Sequence, residues 1–218
     1  MNFTAIILAG GKNSRFDFNK LNSSIKHKAL LKINNKAIID ILIEKFEKIF
    51  QEIIVVVSKD NKQILKRNIK NKNIKLIEDK IYGKYTIGGI YTGLYAANNS
   101  YSFITGCDMP FLNLNLINYM IKQLRRNSAL VPYINKKYEP LYAFYSKDII
   151  NLIAEYINKN CLKISQIFDK IHIKKIEENK IKKYDHNFFS FININTIKDY
   201  KYALKISELL SKEERFNG

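Results

Sequence analysis

Short apolar runs alternate along this chain with stretches in which apolar residues recur at helical spacing. Phe3–Ala9 is an apolar run that ends at Gly10 and Gly11. Ala37–Phe50 places Ile38, Leu42, Ile43, Phe46 and Ile49 on one side, which predicts an amphipathic helix. Ile53–Val57 is a β-branched run of the kind found in buried parallel strands. The same reading predicts helices over Asp60–Ile69, Gly88–Asn98, Leu114–Arg126 and Lys147–Asn158. It predicts strands over Ile74–Ile77, Ser102–Thr105, Ala129–Pro132, Tyr142–Tyr145 and Phe188–Asn195. Thr196 and Asp199 have capping-box-like spacing and mark the start of a final helix. Asn34–Asn35, Asn71-Lys72-Asn73 and Asn98–Asn99 read as turns.

Strands alternating with helices imply right-handed βαβ units and a mainly parallel sheet. In such sheets ligands bind beyond the carboxyl ends of the strands. Polar and glycine positions fall there in order: Gly10–Arg15 after the first strand, Ser58 after the second, Asp79 after the third and Asp108 after the fourth. Over 218 residues there is no repeat and no low-complexity linker, so a single domain is expected.

Composition narrows the class. Apolar residues make up 46% of the chain, enough for a substantial core. No run approaches the roughly 18 consecutive apolar residues of a membrane span. Phe3–Ala9 has no basic segment before it and no cleavage-like site after it, so it reads as a first strand and not as a signal peptide. Cys107 and Cys161 form no CxxC pair, which argues against structural zinc and suits a reducing cytoplasm. The three histidines, His27, His172 and His186, lack metal-ligand spacing and read as surface or core residues. The net charge of +17 raises the question of nucleic acid. Thirty-two of the 37 basic residues are lysines dispersed along a chain rich in Ile and Asn, whereas sequence-reading proteins rely on arginine forks and aromatic platforms. The charge therefore predicts steering of anionic small molecules, with no specific nucleic-acid partner and no membrane.

Three constellations carry candidate chemistry. Leu8-Ala9-Gly10-Gly11-Lys12-Asn13-Ser14-Arg15 runs from a strand into glycines whose N–H groups can cradle a base edge or phosphates, with Arg15 able to fork onto phosphate oxygens. It matches neither a Walker A loop nor a Rossmann GxGxxG, and taken alone it is an ordinary turn. Lys28, in Lys26-His27-Lys28-Ala29-Leu30-Leu31, is placed to neutralise triphosphate charge, although a chain with so many lysines offers coincidences. Asp108, in Gly106-Cys107-Asp108-Met109-Pro110, puts a carboxylate at a strand end where Mg²⁺ can be held with substrate phosphates. A turn-forming or capping Asp is the plain alternative.

Together these segments are more specific than any one of them. The Leu-Ala-Gly-Gly-x₃-Arg start, Lys28-x-Leu30-Leu31, and Cys107-Asp108-x-Pro110 resemble the molybdenum cofactor guanylyltransferase family of nucleotidyltransferases. Glu139-Pro140-Leu141 and the closing Asn193-x-Asn195-Thr196-x-x-Asp199 extend the likeness over nearly the whole chain, and the closing segment discriminates best. The resemblance implies an α/β, three-layer Rossmann-like fold with a mainly parallel central sheet, like the nucleotide-diphospho-sugar transferases. It implies a nucleotide-binding half over about 1–110 and a molybdopterin-binding half over about 111–218. Leu8, Ala9 and Gly10 would hold the guanine and ribose end of GTP, Lys28 and Arg15 its phosphates, and Gly11, Ser58 and Asp79 further parts of the nucleotide. Asp108 would bind Mg²⁺, and Asn193 and Asn195 would face the acceptor.

The activity implied is transfer of GMP from GTP to the terminal phosphate of molybdopterin, with GTP and molybdopterin as substrates and cofactor-biosynthesis proteins or apo-molybdoenzymes as further partners. The alternatives are a cytidylyltransferase for the same acceptor, a sugar-1-phosphate nucleotidylyltransferase, and a non-catalytic GTP- or polyanion-binding protein. Two departures stand out. The segment from Phe16 to His27 is longer than the family's link, which makes Lys20 and Lys26 rivals of Lys28. The family's Gly-Pro-Leu-x-Gly becomes Tyr85-Thr86-Ile87-Gly88-Gly89.

Overall fold

The computed structural model describes residues 2–11, 14–21, 25–71, 73–81, 83 and 85–216, with side chains omitted for residue 85 and residues 213–216. Lys12, Asn13 and Lys72 lie outside the described residues. Strand β1 (Thr4–Ala9) is followed by a small hairpin of β2 (Lys32–Ile33) and β3 (Lys36–Ala37), then α1 (Ile38–Glu47). The alternation continues through β4 (Glu52–Val57), α2 (Lys59–Asn68), β5 (Lys75–Glu78), α3 (Tyr85–Ala96), β6 (Tyr101–Gly106) and α4 (Leu114–Gln123). Then come β7 (Ala129–Ile134), β8 (Lys137–Tyr138), β9 (Tyr142–Ser146), α5 (Ile150–Asn158), β10 (Ile173–Glu177), α6 (Glu178–Ile181) and α7 (Ile197–Phe216).

The sheet has the order β10-β7-β9-β6-β1-β4-β5, with β8 folded back on β7. The pairs β1–β4, β1–β6, β4–β5 and β7–β10 are parallel, while β9 runs antiparallel between β6 and β7. Because successive strand residues face opposite sides, each buried strand feeds two cores. Ala5, Ile7, Val55 and Val57 pack under α1 and α4, while Ile6, Ile54 and Val56 pack under α3 and α5. Strands buried on both faces read as unbroken apolar runs, which is why the β1 and β4 segments carry no polar alternation. The outcome is the expected three-layer α/β fold with a mainly parallel sheet. Among the described residues no helix is long and apolar enough to cross a membrane.

The predicted strand over Phe188–Asn195 is corrected by the structure. Phe189–Phe191 forms a 3-10 turn after Phe188, whose φ is 55°. Its backbone groups are satisfied locally and not by a sheet neighbour: Phe191 N donates to the Phe188 carbonyl at 3.1 Å, and the Asp185 carboxylate accepts from Phe189 N and Ser190 N at 3.0 and 2.8 Å. The edge beside β7 is taken instead by β10, which the pattern missed because lysines interrupt its apolar residues. The freed segment crosses to the carboxyl end of β6, where Ile194 N donates to the Asp108 carbonyl at 2.9 Å.

Candidate active site

The carboxyl ends of β5, β4, β1 and β6 lie level, since Ala9 pairs with Val57, Val57 with Glu78, and Leu8 with Gly106. Above them opens a cavity of about 790 Å³. Leu8, Gly10, Gly11 and Lys28 line it from the β1 side, Ser58 and Asp79 from the outer strands, and Asp108 from β6. A Cβ on Gly11 would meet nothing within 4 Å, so that backbone faces open space.

Lys28 and Asp108, 80 residues apart, meet at the β6 end. Lys28 Nζ donates to Asp108 Oδ2 at 2.6 Å and to Asn195 Oδ1 at 3.0 Å. Both charged side chains are mostly buried, at 12% and 17% exposure, so the pair is shielded from solvent screening. Gly106 makes room for the carboxylate, because a Cβ there would stand 2.6 Å from Asp108 Oδ1. Of the rival lysines, Lys20 is exposed and pairs with Asp17 at 3.5 Å, and neither Lys20 nor Lys26 lines the cavity. Phe16, at the start of the segment before Lys28, is buried and packs 4.7 Å from Phe18 and 6.3 Å from Tyr200.

Two features escaped the sequence reading. His27 is buried, and its Nδ1 accepts from Ala29 N at 3.1 Å. The other ring nitrogen, 3.2 Å from the Ala9 carbonyl, must then carry the proton and donate to it. His27 thus ties the end of β1 to the turn that presents Lys28. Burial lowers its pKa from 6.5 to about 4, a direction reinforced by neighbouring Lys28, while the bond to Ala9 opposes it. Nothing in the sequence distinguished this histidine from an ordinary core one. Thr92 on α3 is the second: its Oγ1 donates to Asp79 Oδ1 at 2.7 Å, and Ile81 N donates to the same oxygen at 3.0 Å. Asp79 is thereby held with one oxygen committed.

The remaining expected site residues are dispersed. Ala9 is buried and does not line the cavity, its carbonyl being taken by His27. Arg15 lies exposed in a turn and does not line the cavity. Asn193 Nδ2 donates to the Phe191 carbonyl at 3.1 Å, and the residue does not line the cavity. Asn195 is seated by the final helix: Asp199 Oδ2 accepts from Asn195 N at 3.0 Å and Thr196 N at 2.8 Å, while Asp199 N donates to Thr196 Oγ1 at 3.2 Å. Cys107, beside Asp108, is buried, and burial followed by the adjacent carboxylate pushes its thiol up to about 12, so it is an inert packing group.

Residues 5–173 match the family model described as the MobA-like NTP transferase domain. The chain belongs to this family. It is therefore a nucleotidyltransferase, and the cavity at the strand ends is the natural place for its nucleotide. A probable molybdenum cofactor guanylyltransferase of Natranaerobius thermophilus is 33% identical over 208 residues, covering 94% of this chain and 96% of that protein. A molybdenum cofactor guanylyltransferase of Syntrophotalea carbinolica is 29% identical over 200 residues, covering 91% and 89%. Among solved structures, molybdopterin-guanine dinucleotide biosynthesis protein A of Archaeoglobus fulgidus superposes with a TM-score of 0.77 at 25% identity, covering 94% and 98%.

Proposed function

We propose that this MobA-like nucleotidyltransferase joins the GMP moiety of GTP to the terminal phosphate of molybdopterin and releases pyrophosphate. The observation that carries the reading is the Lys28–Asp108 pair with Asn195, set at one end of a cavity long enough for a nucleotide. From β6 to β5 the wall spans three strand spacings, about 14 Å. That length takes a nucleoside triphosphate with its phosphates over Lys28 and its base toward β4 and β5. The relatives' names supply the acceptor and the choice of base.

A terminal phosphate oxygen of molybdopterin attacks the α-phosphorus of GTP in line. One P–O bond forms there as the α–β bridging bond breaks, and pyrophosphate leaves with the electron pair. No protein nucleophile is needed, so catalysis rests on alignment and charge neutralisation. Lys28 can turn its flexible stem from Asp108 onto the phosphates. Asn195, rooted in the closing segment, links the acceptor side to that lysine. Arg15, exposed on a turn outside the cavity wall, would reach only phosphates that extend beyond that wall.

The donors at the β6 end suit Mg²⁺. A single carboxylate from Asp108 with substrate phosphates and water is the usual arrangement for this hard ion. Among the described residues no cluster of three or more His, Cys, Asp and Glu offers a dedicated cage, which fits a metal that arrives with the nucleotide. Mg²⁺ held by Asp108 would supply charge neutralisation at the reacting phosphates. Replacing Asp108 by Ala is expected to lower turnover by a factor on the order of 10² or more, with a circular-dichroism spectrum like that of wild type. Wild-type turnover in Asp108→Ala would remove Asp108 from the site.

A further inference from the structure

Among the described residues three acids line the cavity, and two are already engaged. Asp108 pairs with Lys28, and Asp79 accepts from Thr92 and from Ile81 N. The third is Asp60, in the first turn of α2. Its side chain is exposed, and among the described residues its carboxylate meets water and no hydrogen-bond or ion-pair partner. An unpaired carboxylate in the wall of a site for a polyanion weakens binding unless it meets a donor on the ligand. A triphosphate offers none, but its base does.

The placement favours the base. Asp60 follows β4, two strand positions from β6, and so stands at the opposite side of the cavity from Lys28 and Asp108. The glycine loop touches the start of the same helix. A Cβ on Gly10 would lie 3.3 Å from Ser58 N, and Asn61 Nδ2 donates to the Gly11 carbonyl at 3.4 Å. A base lying against the open backbone of Gly11 therefore has the first turn of α2 at its edge.

We propose that Asp60 selects the base, its carboxylate accepting from the N1–H and 2-amino groups of guanine. A carboxylate is an acceptor only. Guanine turns two adjacent donors toward it, whereas adenine turns a ring-nitrogen lone pair and cytosine two lone pairs beside one amino group. Asp60 thus attracts guanine and repels the other two. An acid in the first helical turn is also favoured by the helix dipole, and base discrimination separates the two roles. The inference rests on GTP being the nucleotide.

The test is isothermal titration of the full chain and of Asp60→Ala with Mg-GTP, Mg-ITP and Mg-ATP. Hypoxanthine keeps N1–H and lacks the 2-amino group. Wild type is expected to bind GTP about tenfold or more tighter than ITP, and ITP tighter than ATP, the scale of one charge-assisted hydrogen bond. Asp60→Ala is expected to lose about tenfold or more on GTP, with its GTP-to-ITP and GTP-to-ATP ratios falling toward one. Asp60→Ser, which keeps a polar first-turn residue, serves in its place if the alanine variant does not fold. Wild-type ratios in the variant would overturn the role of Asp60 alone. A wild-type preference for another base would overturn the GTP reading and this role together.

Discussion

Lys28 owes its position to the residue before it. His27 holds both the Ala9 carbonyl and Ala29 N, so the end of β1 and the turn bearing Lys28 move as one piece. Only the neutral ring can do both, because its Nδ1 must accept. The folded chain therefore holds His27 with a pKa of about 4, against 6.5 when unfolded. The unfolded chain takes up the proton first as pH falls, so the contribution of His27 is complete above pH 6.5 and is lost on acidification toward pH 4. The size is ~3 kcal/mol at most. Urea-unfolding midpoints measured from pH 7 to pH 4.5 are expected to fall more steeply for wild type than for His27→Gln. Parallel curves would show that His27 does not titrate with folding. Lys28 and Asp108 themselves were legible from their types and neighbours, since a lysine before an apolar turn and an acid at a strand end are informative together. His27 and Thr92 were not, because what matters is the atom each one touches and not its residue type.

At the scale of elements, α3 sets how closely the nucleotide wall can be built. Gly93 faces β1 so tightly that a Cβ would come within 2.6 Å of Ile6 Cγ2 and 3.3 Å of Val56 Cγ2, both buried and branched. One turn earlier Gly89 lies against Leu8, and between them Thr92 grips Asp79. Gly93→Ala is expected to cost a net ~1–2 kcal/mol, overpacking outweighing the better helix propensity of alanine. Thermal or urea unfolding measures this, and an unchanged or raised stability would mean that α3 moves away from the sheet without penalty. The order of the longer strands and helices through β6 was readable because each obeys one period, whereas β2 and β3, two residues each, are too short to show one and only the Asn34–Asn35 turn between them was read. The Phe188–Asn195 segment was misread because its aromatic and β-branched residues satisfy strand propensity while Asp185 and Asp108 claim its backbone. The edge strand β10 was missed for the opposite reason: lysines, including Lys175 lying 4.3 Å from the Tyr133 ring, break its apolar pattern.

At the scale of the whole molecule, the sheet gathers distant parts of the chain at one edge. Residues near 8, 28, 58, 79, 108 and 195 share that edge because four strands run parallel and the closing segment returns across them. The net charge of +17 favours the approach of anionic substrates to the molecule as a whole. The most direct measurement is pyrophosphate release by the full chain with Mg²⁺ and molybdopterin, comparing GTP with CTP. Release that requires molybdopterin and proceeds faster with GTP is the predicted result. Faster release with CTP, or none with either nucleotide when molybdopterin is present, would contradict the account.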